Sequence, residues 1–318
     1  MSKMNSTDKD PTIPINIDAA ISGQSVCSEV PALAFGLYKV PNGDEGVRII
    51  NDAILGAGYR HLDSASIYGN EKTLGKALAH SFGTMKDISE TDSEQKVLKR
   101  SELFVASKVW NDAQREGRPT VRRSVEQSLH DLGLEYLDIC YVHWPVPGCF
   151  VETYRELLSL QKEGKIKFLG ISNFRIDDYE ELLEKIPPNE FMPPLIHQFE
   201  ISPFMYRPKT VQYFAERNIL VAASKALNRT LGLDSEDGQV VRDIAKCHSV
   251  TPAQVLLRWS FQKGLIPLAK TTSLSRMNEN RSLFDFSLSP LEMDQLDGIT
   301  KEEAVRAREE LEAKRRSS

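Results

Sequence analysis

The chain has 318 residues, 41% hydrophobic and 27% charged, ordinary proportions for a globular fold that buries a large core without disulfides or metals. Its formal net charge of -5 gives no reason to expect nucleic acid or an acidic membrane surface, because both call for concentrated Lys and Arg. The polar residues 1–26 hold no apolar core ahead of a cleavage site, and no run of about 18 apolar residues follows, so a cytoplasmic chain without a membrane span is expected.

Short apolar runs alternate with segments of 3.6-residue periodicity, the pattern of parallel strands joined by helical crossovers. The runs fall at 35–39, 60–64, 103–108, 137–143, 168–172, 196–199, 219–224 and 265–268. Eight such units predict an α/β chain folded as a single (β/α)8 TIM barrel, one domain over 1–318 with an N-terminal extension at 1–30. Val47, Ile50 and Ile54 form one apolar helix face; Val121, Val125, Leu129 and Leu132 form another, ending at Gly133. The polar segment 81–99 reads as an insertion on the face opposite any active site. Thr251-Pro252-Ala253-Gln254 and Ser289-Pro290-Leu291-Glu292 each combine an N-cap, a first-turn proline and a capping-box partner. The charged segment 301–318 has helical composition but little apolar content, which predicts a solvated terminal helix or tail. Cys27, Cys140, Cys149 and Cys247 lack zinc or redox-motif spacing and read as reduced thiols, with no metal expected.

Barrel sites collect at the C-terminal strand ends, so the informative residues are polar stops after apolar runs. Asp63, Lys108 and His143 are such stops, and Tyr68 lies one loop beyond Asp63. Singly, each has a structural reading: an ion pair, a core histidine, a packed aromatic. Together they supply an acid, a cation, a carboxylate and an imidazole around one point. A tyrosine with a pKa near ~10 is a sluggish acid at neutral pH, and a nearby cation lowers that value. Lys108 is the candidate cation, Asp63 its counter-charge, Tyr68 the proton donor, and His143 a hydrogen-bonding partner for a substrate carbonyl oxygen. A hydride would have to come from a cofactor. His61 and Asp138 lie within strands and read as structural.

Gly58-Tyr59-Arg60-His61-Leu62-Asp63-Ser64-Ala65, Tyr68, Asn70-Glu71, Ser107-Lys108 and His143-Trp144-Pro145 resemble the aldo-keto reductase superfamily, and the likeness runs over 31–293. It implies NADPH-dependent reduction of aldehydes or ketones, with Asp63, Tyr68, Lys108 and His143 as a catalytic tetrad. Gly170-Ile171-Ser172-Asn173-Phe174 and then Gln198 resemble the nicotinamide carboxamide contacts, implying that role for Ser172, Asn173 and Gln198. The stretch Pro267-Leu268-Ala269-Lys270-Thr271-Thr272 resembles the adenosine end. Precedent implies Lys270, Thr271 and Arg276 at a 2'-phosphate, and Glu279 and Asn280 at adenine. Tyr38, Trp110 and Trp144 sit where the family lines its substrate pocket, and the partner implied is a small-molecule carbonyl substrate.

Two departures stand out. Many members carry a tyrosine that stacks on the nicotinamide where this chain has Ser224, followed by Lys225 and Leu227 in a loop that, by resemblance, runs along the pyrophosphate with Arg229. Charge there substitutes in part for stacking. Only residues 144–150 separate the fourth strand from its helix, which implies an open, apolar pocket. Two further readings share the barrel: a non-catalytic NADPH-binding regulatory subunit, and a phosphate-binding lyase or isomerase.

Overall fold

The computed structural model describes residues 11–14, 29–84, 97–227 and 235–317. Two strands, β1 (Thr12–Pro14) and β2 (Glu29–Pro31), pair antiparallel as a separate hairpin. The next eight are β3 (Ala34–Gly36), β4 (His61–Asp63), β5 (Phe104–Val109), β6 (Leu137–Val142), β7 (Ile166–Ser172), β8 (Ile196–Glu200), β9 (Leu220–Ser224) and β10 (Ile266–Ala269). They close into one parallel barrel in chain order, with β10 pairing back onto β3. Each overlaps one of the eight apolar runs, β3 least, since it ends at Gly36 within the run 35–39.

The period of two along each strand decides what the barrel encloses. Ala34, Phe104, Ala106, Ile139, Tyr141, Phe168, Ile196, Ala222 and Ile266 form the interior cluster. Counting on by twos along the same rows, and from His61 on β4, reaches Tyr38, Asp63, Lys108, His143, Ser172, Gln198, Ser224 and Lys270. The interior is therefore apolar below and polar at its C-terminal rim. Gly170 sits on the inward row because a Cβ there would lie 2.3 Å from the Tyr141 ring. The hairpin closes the other end: Val30 joins the interior cluster, and Ile13 packs against it beside Leu195 and Leu220, at the N-terminal ends of β8 and β9. Its three-residue strands are too short to show periodicity.

The outward rows pack against the helices in a second, larger core. These are α1 (Asp44–Asn51), α2 (Glu71–Ser81), α3 (Asn111–Arg115), α4 (Arg118–Leu132), α5 (Phe150–Lys162), α6 (Ile176–Lys185), α7 (Pro208–Ala215), α8 (Glu236–His248), α9 (Pro252–Gln262), α10 (Leu274–Arg281), α11 (Pro290–Asp297) and α12 (Glu302–Ser317). Val121, Val125, Leu129 and Leu132 are buried on α4, and Gly133 ends the helix in the left-handed region at φ 65°. Both expected capping boxes form, at Thr251 with Gln254 and at Ser289 with Glu292. After α1 the chain adds a π-helical turn over Asp52–Gly56, which carries the buried Ile54. Residues 85–96 of the polar insertion lie outside the described residues; its C-terminal end is tied back where Leu98 N donates to Ser81 O at 2.9 Å.

The C-terminal segment departs from expectation. It is helical, yet α12 is not simply solvated: Arg308 and Glu312, one turn apart, are both buried while Leu311 is exposed. Its docked stripe is charged, so an apolar periodicity could not announce it.

Candidate active site

Asp63 ends β4 at the barrel rim. Its Oδ2 accepts a hydrogen bond from Lys108 Nζ at 2.7 Å, and its Oδ1 accepts one from Gln198 Nε2 at 2.8 Å. Lys108 Nζ also donates to Ser64 O at 2.7 Å. The chain then leaves β4 through a 3-10 turn over Ser66–Tyr68, stopped by Gly69 at φ 66°. Ser66 Oγ fastens that turn to Lys108 O at 2.9 Å. Behind it, Asn70 Nδ2 donates to Leu37 O and Val40 O at 2.9 and 3.0 Å. Tyr68 is thus held between two clamps, with its ring centroid 5.3 Å from Lys108 Nζ and 5.9 Å from the His143 ring. All four polar stops meet at one place.

Electrostatics separate their roles. Burial disfavours the Lys108 ammonium, but attraction to Asp63 and then Tyr68 outweighs it and the net direction is upward. The lysine is a fixed cation. Burial holds His143 well below the ordinary histidine range, and the Lys108 charge pushes the same way, so the imidazole is neutral. For Tyr68 the balance differs from the expectation of a lowered pKa: burial raises it, and the opposing pull of Lys108 does not overcome burial. The resting phenol therefore stays protonated at neutral pH.

The residues expected at a nicotinamide amide join the same network. Asn173, at φ 58°, donates through Nδ2 to His143 O and to Ser172 Oγ, both at 3.0 Å, and its backbone N donates to Gln198 O at 2.9 Å. Ser224 ends β9 half-buried. Lys225 follows in the left-handed region at φ 53°, and its Nζ donates to Glu200 Oε2 at 2.7 Å. Leu227 is half-buried and packs on the outer core; Arg229 lies outside the described residues. Around β10 and α10, Lys270 is half-buried and Arg276 exposed, Thr271 Oγ1 accepts from Ser273 N at 3.2 Å, and Asn280 is buried. Glu279 Oε1 accepts a hydrogen bond from Thr251 Oγ1 at 2.8 Å.

Of the expected substrate-lining aromatics, Tyr38 is 58% exposed, with its ring 5.2 Å from that of Tyr68. Trp110 is half-buried and stands edge-on to His143 at 5.0 Å. Trp144 lies deeper, 5% exposed, and its carbonyl accepts from Gln114 Nε2 at 2.9 Å. Sequence reasoning quoted Glu71 without a role. It is buried behind β5, where Ser107 Oγ and Ser128 Oγ donate to its two oxygens at 2.5 and 2.8 Å, and burial raises its pKa. Glu200 was missed altogether, although it continues the inward row Ile196, Gln198 by two more residues.

A closed parallel barrel whose one rim gathers a buried charge pair, a phenol and a neutral imidazole defines a class: a (β/α)8 barrel with its polar centre where barrel enzymes keep theirs. Residues 32–301 match the model of the Aldo/keto reductase family, and the chain belongs to that family. The glyoxal reductase of Bacillus subtilis (strain 168) is 35% identical over 277 residues, 87% of this chain and 91% of that protein. The methylglyoxal reductase DkgA of Escherichia coli (strain K12) is 34% identical over 269 residues, 84% of this chain and 88% of the other. An aldo-keto reductase of Bombyx mori, solved in complex with NADP, superposes with a TM-score of 0.76 at 25% identity, covering 92% of this chain and 94% of that one. Among the described residues no helix is long and apolar enough to cross a membrane.

Proposed function

We propose that the chain reduces small aldehydes or ketones to alcohols, with NADPH as the cofactor and Tyr68 as the proton donor. One observation carries the reading: a fully buried Lys108, paired with Asp63, stands 5.3 Å from the Tyr68 ring, which lies 5.9 Å from that of His143, at the C-terminal rim of the barrel. The names of the two bacterial relatives, reductases of glyoxal and methylglyoxal, support small carbonyl compounds as the substrate class.

The residues at hand fit NADPH by the chemistry of their donors. Ser172, Asn173 and Gln198 offer hydroxyl and amide groups for a carboxamide beside Asp63, while Lys270 and Arg276 place two cations at the β10–α10 corner for a 2'-phosphate. When bound, the cofactor supplies a hydride to the carbonyl carbon.

The chain's own residues handle the oxygen. His143, neutral, donates its N–H to the carbonyl oxygen and turns the carbon toward attack. As the C–O double bond becomes single, the oxygen becomes an alkoxide, far more basic than a phenolate, and it takes the Tyr68 proton even though burial keeps that phenol weakly acidic at rest. Lys108 then stabilises the phenolate until solvent restores the proton. Neutral His143 is the poorer acid of the two, which assigns the proton to Tyr68.

Tyr68→Phe removes the transferable proton and keeps the ring. NADPH oxidation with glyoxal or methylglyoxal should fall by about 10²–10⁴-fold, while NADPH binding, read by fluorescence, stays near wild type. Turnover within a few-fold of wild type would remove Tyr68 from the chemistry.

A further inference from the structure

The charged stripe of α12 docks on the rim at the ends of β8 and β9, beside the site. Thr300, just ahead of the helix, accepts from Tyr206 N and donates to Pro203 O, each at 2.7 Å. Lys301 pairs with Asp237 of α8 at 2.8 Å. Arg308 Nη2 lies 3.1 Å from Glu200 Oε2, and Arg308 Nε donates to Glu312 Oε1 at 2.9 Å. Glu312 also faces Arg207 at 3.3 Å, and Glu200 Oε2 accepts from Lys225 at 2.7 Å. Five groups therefore alternate in sign: Lys225, Glu200, Arg308, Glu312, Arg207. Only Lys225 among the five is well exposed, at 53%.

One carboxylate oxygen serves two cations here. Glu200 Oε2 holds Lys225, whose exposed ammonium stands one residue beyond Ser224, and also Arg308, which arrives from α12. A second cation reduces the negative potential at that oxygen, so Lys225 is held less firmly than it would be alone. A dianionic diphosphate approaching the end of β9 competes with Glu200 for Lys225, and its success leaves Glu200 still paired with Arg308 rather than buried without a partner.

We infer that Arg308 is a positioning residue for cofactor binding: by sharing Glu200 it releases the Lys225 ammonium toward the cofactor diphosphate, so the docked C-terminal helix sets how tightly NADPH is held. The inference rests on the reading of this site as an NADPH site. It assigns a role to a helix that carries none of Asp63, Tyr68, Lys108 and His143.

Arg308→Gln is the test, because each buried carboxylate keeps one cation, Glu200 with Lys225 and Glu312 with Arg207. Glu200 then holds Lys225 alone, and NADPH affinity by fluorescence titration should fall about three- to fivefold. With Lys225→Met already in place, the same substitution should change affinity little, a coupling that a general loss of packing would not produce. Should Arg308→Gln undock α12, seen as faster proteolysis of the C-terminal segment, Arg308→Lys retains the cation and should bind NADPH nearly as wild type does; clear weakening there overturns the inference. Unchanged affinity in Arg308→Gln, or an equal loss with and without Lys225→Met, overturns it while the functional reading stands. A wild-type chain that fails to bind NADPH overturns both.

Discussion

Replacing Lys108 by methionine should expose the energetics on which the site rests. The lysine side chain is fully buried and its ammonium lies 2.7 Å from Asp63, whose side chain is only 4% exposed. At that separation and an effective dielectric of about 20, the gross attraction is about 6 kcal/mol. Desolvating both ions cancels much of it, so the pair's net contribution is small; removing one partner strands the other, at about 3–5 kcal/mol. Gln198 still donates to Asp63 Oδ1 at 2.8 Å, which favours the lower end of that range. We therefore expect Lys108→Met to lose about 3 kcal/mol of unfolding free energy, read from urea titrations at neutral pH. Adding Asp63→Asn removes the stranded charge and should restore at least half of the loss, although neither variant should turn over substrate. If the single variant proves as stable as the double one, the two groups are not the desolvated unit inferred from their burial.

Two other expectations follow from charge. Arg276→Met should weaken NADPH binding by about 1.5–3 kcal/mol, the scale of a hydrogen bond to a charged group, and leave NADH almost untouched; equal losses for both would place Arg276 away from the 2'-phosphate. His61 is buried against Phe104, and burial lowers its pKa from 6.5 to about 4. Between those values the unfolded chain binds more protons than the folded one, so stability falls as pH drops from about 6.5 to about 4, by up to about 3 kcal/mol for this residue. His61→Leu should flatten that part of the stability–pH curve, and an unchanged slope would assign the acid sensitivity to other groups.

The barrel was legible because each strand is a compact apolar run between turns, and the site was legible because polar residues interrupt those runs at one end. Asp63, Lys108 and His143 stood out as stops; Ser172, Gln198 and Ser224 fall on the same inward rows. Glu200 obeys this rule as well, and counting two residues beyond Gln198 would have found it. The hairpin at Thr12–Pro14 and Glu29–Pro31 was not legible, since three residues cannot display alternation and its pairing is long-range. Nor was α12, whose buried positions are Arg308 and Glu312: a helix docked by ion pairs is indistinguishable in sequence from a solvated one. The direction of the Tyr68 pKa failed for a related reason. A sequence names the neighbouring cation but not how far the half-buried Tyr68 side chain is desolvated, and here desolvation prevails.

The same arithmetic separates what the fold requires from what the chemistry requires. A well-packed apolar pair is often as stable in a barrel as a buried Lys–Asp pair, or more so, because no ion then has to leave water. Stability alone would therefore not favour Lys108 and Asp63 over hydrophobic neighbours of Tyr141 and Ala106. What the pair supplies is a cation held beside Tyr68 at a depth where water does not screen it. At the surface the same charge would be screened and its effect on a phenolate slight. Asp63 carries the cost of that placement together with Gln198 and the Ser64 carbonyl, and Ser66 fixes the turn that brings Tyr68 to it. The barrel rim is thus organised around one charge, and in the proposed reaction Tyr68 acts as the acid because its conjugate base would form beside a counter-ion already in position.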